Sequence, residues 1–140
     1  MRYILDSCVG IKWLLEEIDS DKAIRLRDEF RNGIHELLAP DIYPIEVAHA
    51  LTRAERQRRI TPHEGLTSFQ DTIALSRELR PYLPLLPRAY EISSAMRIGV
   101  YDCLFVALAE REGCELITSD EKLSKNLQAD YPFIAPFSSL

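Results

Sequence analysis

The run CLFVALA, Cys103 to Ala109, narrows what this chain can become more than any other feature. It is apolar on every side. A membrane span needs about 20 consecutive apolar residues, and this run falls far short. In a soluble protein a helix without a polar face lies inside the core, and Gly113 supplies its stop. Short strand-forming segments alternate with helix-patterned ones along the rest of the chain. That alternation predicts one α/β domain over residues 1–140, a three-layer α/β/α sandwich with a mostly parallel central sheet. A length of 140 residues suits a single core. The 46% apolar and 28% charged composition excludes disorder, collagen and coiled coil.

The expected elements follow from periodicity and punctuation. Arg2–Leu5 (RYIL) reads as a strand ending at Asp6, and the apolar residues from Cys8 to Leu15 have mostly helical spacing. Ser20 to Arg31 predicts a helix stopped by Gly33, and Glu36 to Ala39 a strand closed by Pro40. Pro44 to Arg59 predicts a helix with proline in its first turn. Thr61-Pro62-His63-Glu64 is a capping box that should start a helix running to about Leu79. Tyr82 to Leu86 is interrupted by proline and predicts at best an edge strand or an extended connector. A helix from Arg88 to Arg97, the buried helix, a strand at Glu115 to Thr118, a short helix after Asp120 and a strand around Phe133 and Ile134 complete the pattern.

In an open parallel sheet, ligands gather beyond the carboxyl ends of the strands. Asp6 and Asp120 follow two expected strands, Asp102 opens the buried helix, and Glu46 lies near the start of a helix after the second strand. Four carboxylates meeting at one mouth repel one another unless a cation neutralises them. Hard oxygen ligands of this kind select Mg²⁺ or Mn²⁺. Each acid alone also has a structural reading. Asp6, Asp102 and Asp120 suit helix N-caps, although the capping-box partner positions hold Val9, Phe105 and Leu123. Glu46 alone suits a solvated first turn.

Four segments in order, ILDSCVGIKWLL, APDIYPIEVAHAL, IGVYDCLFVALAEREG and LITSDEKL, resemble the motifs of the PIN domains. The likeness is closest to the VapC-type ribonuclease toxins of bacterial and archaeal toxin–antitoxin pairs, and it spans nearly the whole chain. The resemblance implies a Mg²⁺- or Mn²⁺-dependent endoribonuclease that attacks RNA with a metal-activated water and forms no covalent enzyme intermediate. Carried over by position, Asp6, Asp102 and Asp120 stand nearest the metal, Glu46 completes the quartet through a water, and Thr118 orients the last acid. A cognate antitoxin protein and a homodimer are implied as partners. The family commonly has Ser, Thr or Asn two residues after the first acid. This chain has Cys8 there, with Ser7 directly after the acid.

Other features carry less. Arg53, Arg56, Arg58 and Arg59 suggest either a nucleic-acid contact beside the mouth or complementation of a helix C-terminus. His35, His49 and His63 lack zinc spacing. Cys8 and Cys103 read as packing residues, because carboxylate neighbours raise a thiol pKa. Trp13, Tyr43, Phe69 and Tyr101 read as core or interface residues. Three cysteines without a CxxC, and an acid early in MRYILD, predict a reduced, cytoplasmic chain with no membrane partner.

Two alternative functions remain at this level. A receiver-like phospho-Asp signalling domain is permitted by size, but the paired acids after its first strand and the lysine after its last are missing. A catalytically silent PIN-like interaction module is the other, motivated by Cys8. The net charge of −5, from 17 basic and 22 acidic residues, argues against a simple basic nucleic-acid binder. Subtracting the four candidate ligands leaves −1, so most of that acidity belongs to the expected site.

Overall fold

A parallel sheet covered on both faces needs continuous apolar strands rather than alternating ones, and the chain supplies them. In the computed structural model, which describes residues 1–15, 20–74 and 78–137, five strands form one sheet. These are β1 (Arg2–Leu5), β2 (Glu36–Pro40), β3 (Glu78–Arg80), β4 (Glu115–Thr118) and β5 (Ile134–Pro136). Their order is β3-β2-β1-β4-β5, and every pairing is parallel. Ile4, Leu5, Leu37, Leu38, Leu116 and Ile117 are fully buried, which puts successive residues of the three central strands under cover on both faces.

Seven helices among the described residues flank the sheet: α1 (Ser7–Ile11), α2 (Ser20–Arg31), α3 (Tyr43–Arg56), α4 (Pro62–Ala74), α5 (Leu86–Met96), α6 (Val100–Glu112) and α7 (Glu121–Leu127). Every residue of α6 from Cys103 to Ala109 is buried, as its lack of a polar face requires. The helix packs on β1, β2 and β4 and against α5. Each large apolar side chain enclosed there contributes about 1.5–3 kcal/mol. No single helix among the described residues is long and apolar enough to cross a membrane.

Two expectations are corrected. The helix that begins at the capping box is described as far as Ala74 and does not reach Leu79, which lies in β3 instead. Pro81 disfavours helical backbone at Arg80. The Arg80 carbonyl instead accepts the Asp41 N–H at 2.8 Å, and Asp41 Oδ1 accepts the Tyr82 N–H at 3.0 Å. The segment from Tyr82 to Leu86 is neither strand nor extended connector. It forms a 3₁₀ turn at Leu83–Leu85 leading into α5, with Pro84 and Pro87 at first-turn positions where no N–H is needed. The capping box itself forms in full. The Thr61 N–H donates to Glu64 Oε1 at 2.9 Å and the Glu64 N–H to Thr61 Oγ1 at 3.1 Å.

The strand order has a functional consequence. From β1 the chain runs outward through β2 and β3, then returns to the other side of β1 for β4 and β5. The crevice beyond β1 and β4 is therefore a topological switch point, the place where open α/β sheets bind ligands.

Candidate active site

Asp6 and Asp120 leave the sheet at that switch point, one directly after β1 and the other two residues after β4. Asp6 is buried, and its N–H donates to the Ile117 carbonyl at 3.0 Å, which extends the β1–β4 ladder by one bond. The residue occupies the N-cap position of α1, yet its side chain makes no capping bond. Its carboxylate instead accepts the Thr118 hydroxyl at Oδ2, 2.8 Å away. Thr118 Oγ1 in turn accepts the Asp120 N–H at 3.0 Å, so one buried threonine sets the separation of two acids.

The thiol of Cys8 completes this chain. Its Sγ lies 3.7 Å from Thr118 Oγ1 and accepts the Ser119 N–H at 3.4 Å. The Thr118 hydroxyl has one proton and gives it to Asp6, so the thiol is the donor in the Cys8–Thr118 pair. Burial, and then the Asp6 charge, push the thiol up to about 12, which keeps that proton in place. Cys8 thus supplies the hydrogen-bond donor that a hydroxyl would supply at this position. It is a support for the acids and is held far from the thiolate form.

Asp102 and Asp120 differ in how free they are. Asp120 caps α7, accepting the Leu123 N–H at Oδ1 over 3.1 Å, so one of its oxygens has a structural task. Asp102 sits in the first turn of α6, whose N-cap is Gly99, and has no capping role. Burial, then the charges of Asp6 and Asp120, push Asp102 up to about 6. Glu46, in the first turn of α3, is pushed up to about 7 by burial and by Asp6 and Asp102, against a smaller lowering by the Ser7 hydroxyl. Asp6 is raised too, chiefly by burial, with Thr118 and Cys8 opposing it and Asp120 adding to it. These mutual influences tie Asp6, Glu46, Asp102 and Asp120 into one electrostatic cluster.

The cluster fits a hard divalent cation by its donors. Among the described residues Glu46 Oε1 is a buried carboxylate oxygen with no hydrogen-bond partner, an expensive state for a charged group unless a cation attends it. Among the described residues, no three carboxylate, imidazole or thiol groups stand close enough to enclose an ion by themselves. Mg²⁺ does not require such a cage, since it keeps several waters and takes one or two carboxylates together with substrate phosphates.

A pH-dependent cost follows. The unfolded chain ionises Glu46 near pH 4.5 and the folded chain near pH 7, so folding stability falls as pH rises through that window. Glu46 is partly exposed, so screening leaves the cost at about 1–2 kcal/mol. Without divalent ions, Glu46→Gln is expected to melt like the wild type near pH 4.5 and several degrees higher above pH 7. A variant that loses stability equally at both pH values would show Glu46 to be a structural acceptor.

The arginine cluster lies elsewhere. Arg53 and Arg56 occupy the last turn of α3, with Arg58 and Arg59 beyond it. Ten residues of helix put Arg56 about 15 Å along the axis from Glu46. Two cations that share a cavity with the acids carry no sequence motif. A cavity of about 230 Å³ is lined by Asp102 and Asp120 together with Arg97, Lys122 and Asn126. Arg97 has a detectable signal, a non-glycine residue where a helix C-cap calls for Gly. Tyr101 is exposed rather than core, whereas Trp13 and Tyr43 are buried as expected. His35 is held by Glu29, Nε2 to Oε2 at 2.5 Å, and meets the Tyr3 ring edge-on.

A family comparison identifies the class of domain that this sheet and its acids form. The PIN domain model matches residues 3–126, and the chain belongs to the PIN domain family. It is similar to Ribonuclease VapC12 of Mycobacterium tuberculosis, 32% identical over 124 residues, covering 88% of this chain and 90% of that one. Ribonuclease VapC9 of the same species is 32% identical over 69% of this chain and 74% of its own length. Ribonuclease VapC3 of Pyrobaculum aerophilum is 25% identical over 92% and 97%. Among solved structures, VapBC2 from Rickettsia felis, bound to a DNA fragment from its promoter, shares the fold. Its TM-score is 0.64 at 16% identity, and the match covers 97% of each chain.

Proposed function

We propose that this chain is a Mg²⁺- or Mn²⁺-dependent endoribonuclease, the toxin component of a toxin–antitoxin pair. The observation that carries the reading is the convergence of Asp6, Glu46, Asp102 and Asp120 at the switch point, with an orphaned carboxylate oxygen among them. The relatives named as VapC ribonucleases support the substrate class, and the VapBC pairing named for the structural neighbour supports an antitoxin partner.

One or two of Asp6, Asp102 and Asp120 would hold the cation directly and the rest through water, with Glu46 beside it. When bound, the ion supplies positive charge against phosphate oxygens and makes water more acidic. Thr118 locks the Asp6 rotamer and fixes the start of the Asp120 turn. The cap bond to Leu123 orients Asp120 from the other side. Glu46 Oε1, without a hydrogen-bond partner among the described residues, would be the oxygen that takes the proton an attacking water loses.

Cleavage mapping on total cellular RNA tests the reading. Discrete cuts should require Mg²⁺ or Mn²⁺, disappear with chelator and be absent for Asp6→Asn. Cleavage that survives chelation, or that Asp6→Asn performs at wild-type rate, would sink the proposal.

A further inference from the structure

Two cations line the cavity next to Asp102 and Asp120, and the backbone of one and the helix position of the other are unfavourable for them. Arg97 is the C-cap of α5 with φ 57° and ψ 47°, left-handed backbone that favours glycine. A glycine there would form the same Arg97 N–H to Ser93 carbonyl bond of 2.9 Å without the steric cost to a side chain. Lys122 stands in the first turn of α7, where the exposed peptide N–H groups favour acids over bases. Asn126 follows one turn later on the same helix face. Among the described residues, neither the guanidinium of Arg97 nor the ammonium of Lys122 has a hydrogen-bond or ion-pair partner. The acids in the same cavity do not engage them.

We infer that Arg97 and Lys122 grip a backbone phosphate of the RNA beside the cutting site, with the Asn126 amide as a further donor. The inference rests on the nuclease reading and deepens it by assigning the strand's docking position. Charge supports it, because two acids and two bases leave the cavity balanced, and a divalent ion on the acids would leave it positive. Size supports it as well. At about 230 Å³ the cavity falls below the range of roughly 300–1,000 Å³ that takes whole organic ligands. It has room for about seven waters, enough for a phosphate and its hydration but not for a base as well. The contact therefore contributes affinity without choosing sequence.

The test uses the full chain, a labelled mixed-sequence single-stranded RNA and Mg²⁺. Arg97→Gly deletes the guanidinium while relieving the left-handed backbone, so the variant folds at least as well as the wild type. Lys122→Gln deletes the second charge. Each should raise KM about tenfold, the worth of one charge-assisted contact, with little change in kcat. The slope of log affinity against log salt should fall by about 0.7 per lost contact. Cut positions should stay the same, and Arg97→Lys should recover part of the KM. If the wild type cuts RNA while both variants keep its KM and salt slope, the phosphate grip is refuted and the nuclease reading stands. A shift of cut positions would also refute it, by showing base readout. If the wild type neither cuts nor binds the RNA with Mg²⁺ or Mn²⁺, both readings fall together.

Discussion

Asp102→Asn is expected to lower kcat about a thousandfold, the scale on which a preorganised charge in an active site acts. It should also melt higher than the wild type at about pH 8 without divalent ions. The two results have one cause. Asp102 makes no cap and begins a helix whose next seven residues are all buried, so its carboxylate is held rigidly at the edge of the core. Burial and the charges of Asp6 and Asp120 raise it from 3.8 to about 6. Above pH 6 the folded protein therefore bears the cost of an ionised group that the unfolded chain ionises freely. Discounted for its partial exposure, that cost is on the order of 1 kcal/mol, or about 3 °C for a chain of this size. Asparagine keeps the shape and removes the charge. Cleavage within tenfold of the wild type would remove Asp102 from the site. A lower melting temperature at about pH 8 would mean that the carboxylate is a needed acceptor rather than a repelled charge.

The acids could be found from the sequence because each sits at a punctuation mark, the end of an apolar strand or the first turn of a periodic helix. Strands β1, β2 and β4 and the all-apolar helix α6 were readable for the same reason, since burial on every face leaves an uninterrupted run. Strand β3 was not. It is three residues long and half exposed at the sheet edge, so no burial pattern marks it. Its one usable signal is Pro81, which biases Arg80 toward extended backbone. The Asp6–Thr118–Cys8 hydrogen-bond chain was beyond reach for a different reason. It joins residues 110 or more apart in sequence, and only the β1–β4 pairing brings them into contact. Lys122 looks like an ordinary surface charge, and Arg97 differs from one only in standing at a helix C-cap, until the switch point places them beside the acids.

The largest effect on stability should come from a residue with no chemistry at all. Gly10 lies in α1 directly against Tyr43, and a Cβ there would run into the Tyr43 hydroxyl and the ring carbon that bears it. Tyr43 is 1% exposed and begins α3, so the ring has nowhere to swing. Gly10→Ala is expected to cost about 3 kcal/mol of overpacking, offset by up to about 1 kcal/mol of helix propensity. The net loss should lower the melting temperature by roughly 6 °C. Activity should fall as well, because Tyr43 is one turn from Glu46 while α1 carries Ser7 and Cys8. Displacing the ring therefore moves Glu46 relative to Asp6. Gly65→Ala provides the contrast. A Cβ there meets only the carboxylate end of Glu55, a flexible chain that can turn aside, so that variant should be neutral or up to about 1 kcal/mol more stable. Tyr43→Phe removes the clashing oxygen, so the pair Gly10→Ala with Tyr43→Phe should lose less stability than the two single variants added together. Simple additivity, measured by thermal melts of all four proteins, would show that the helix contact is looser than the packing of α1 on α3 requires.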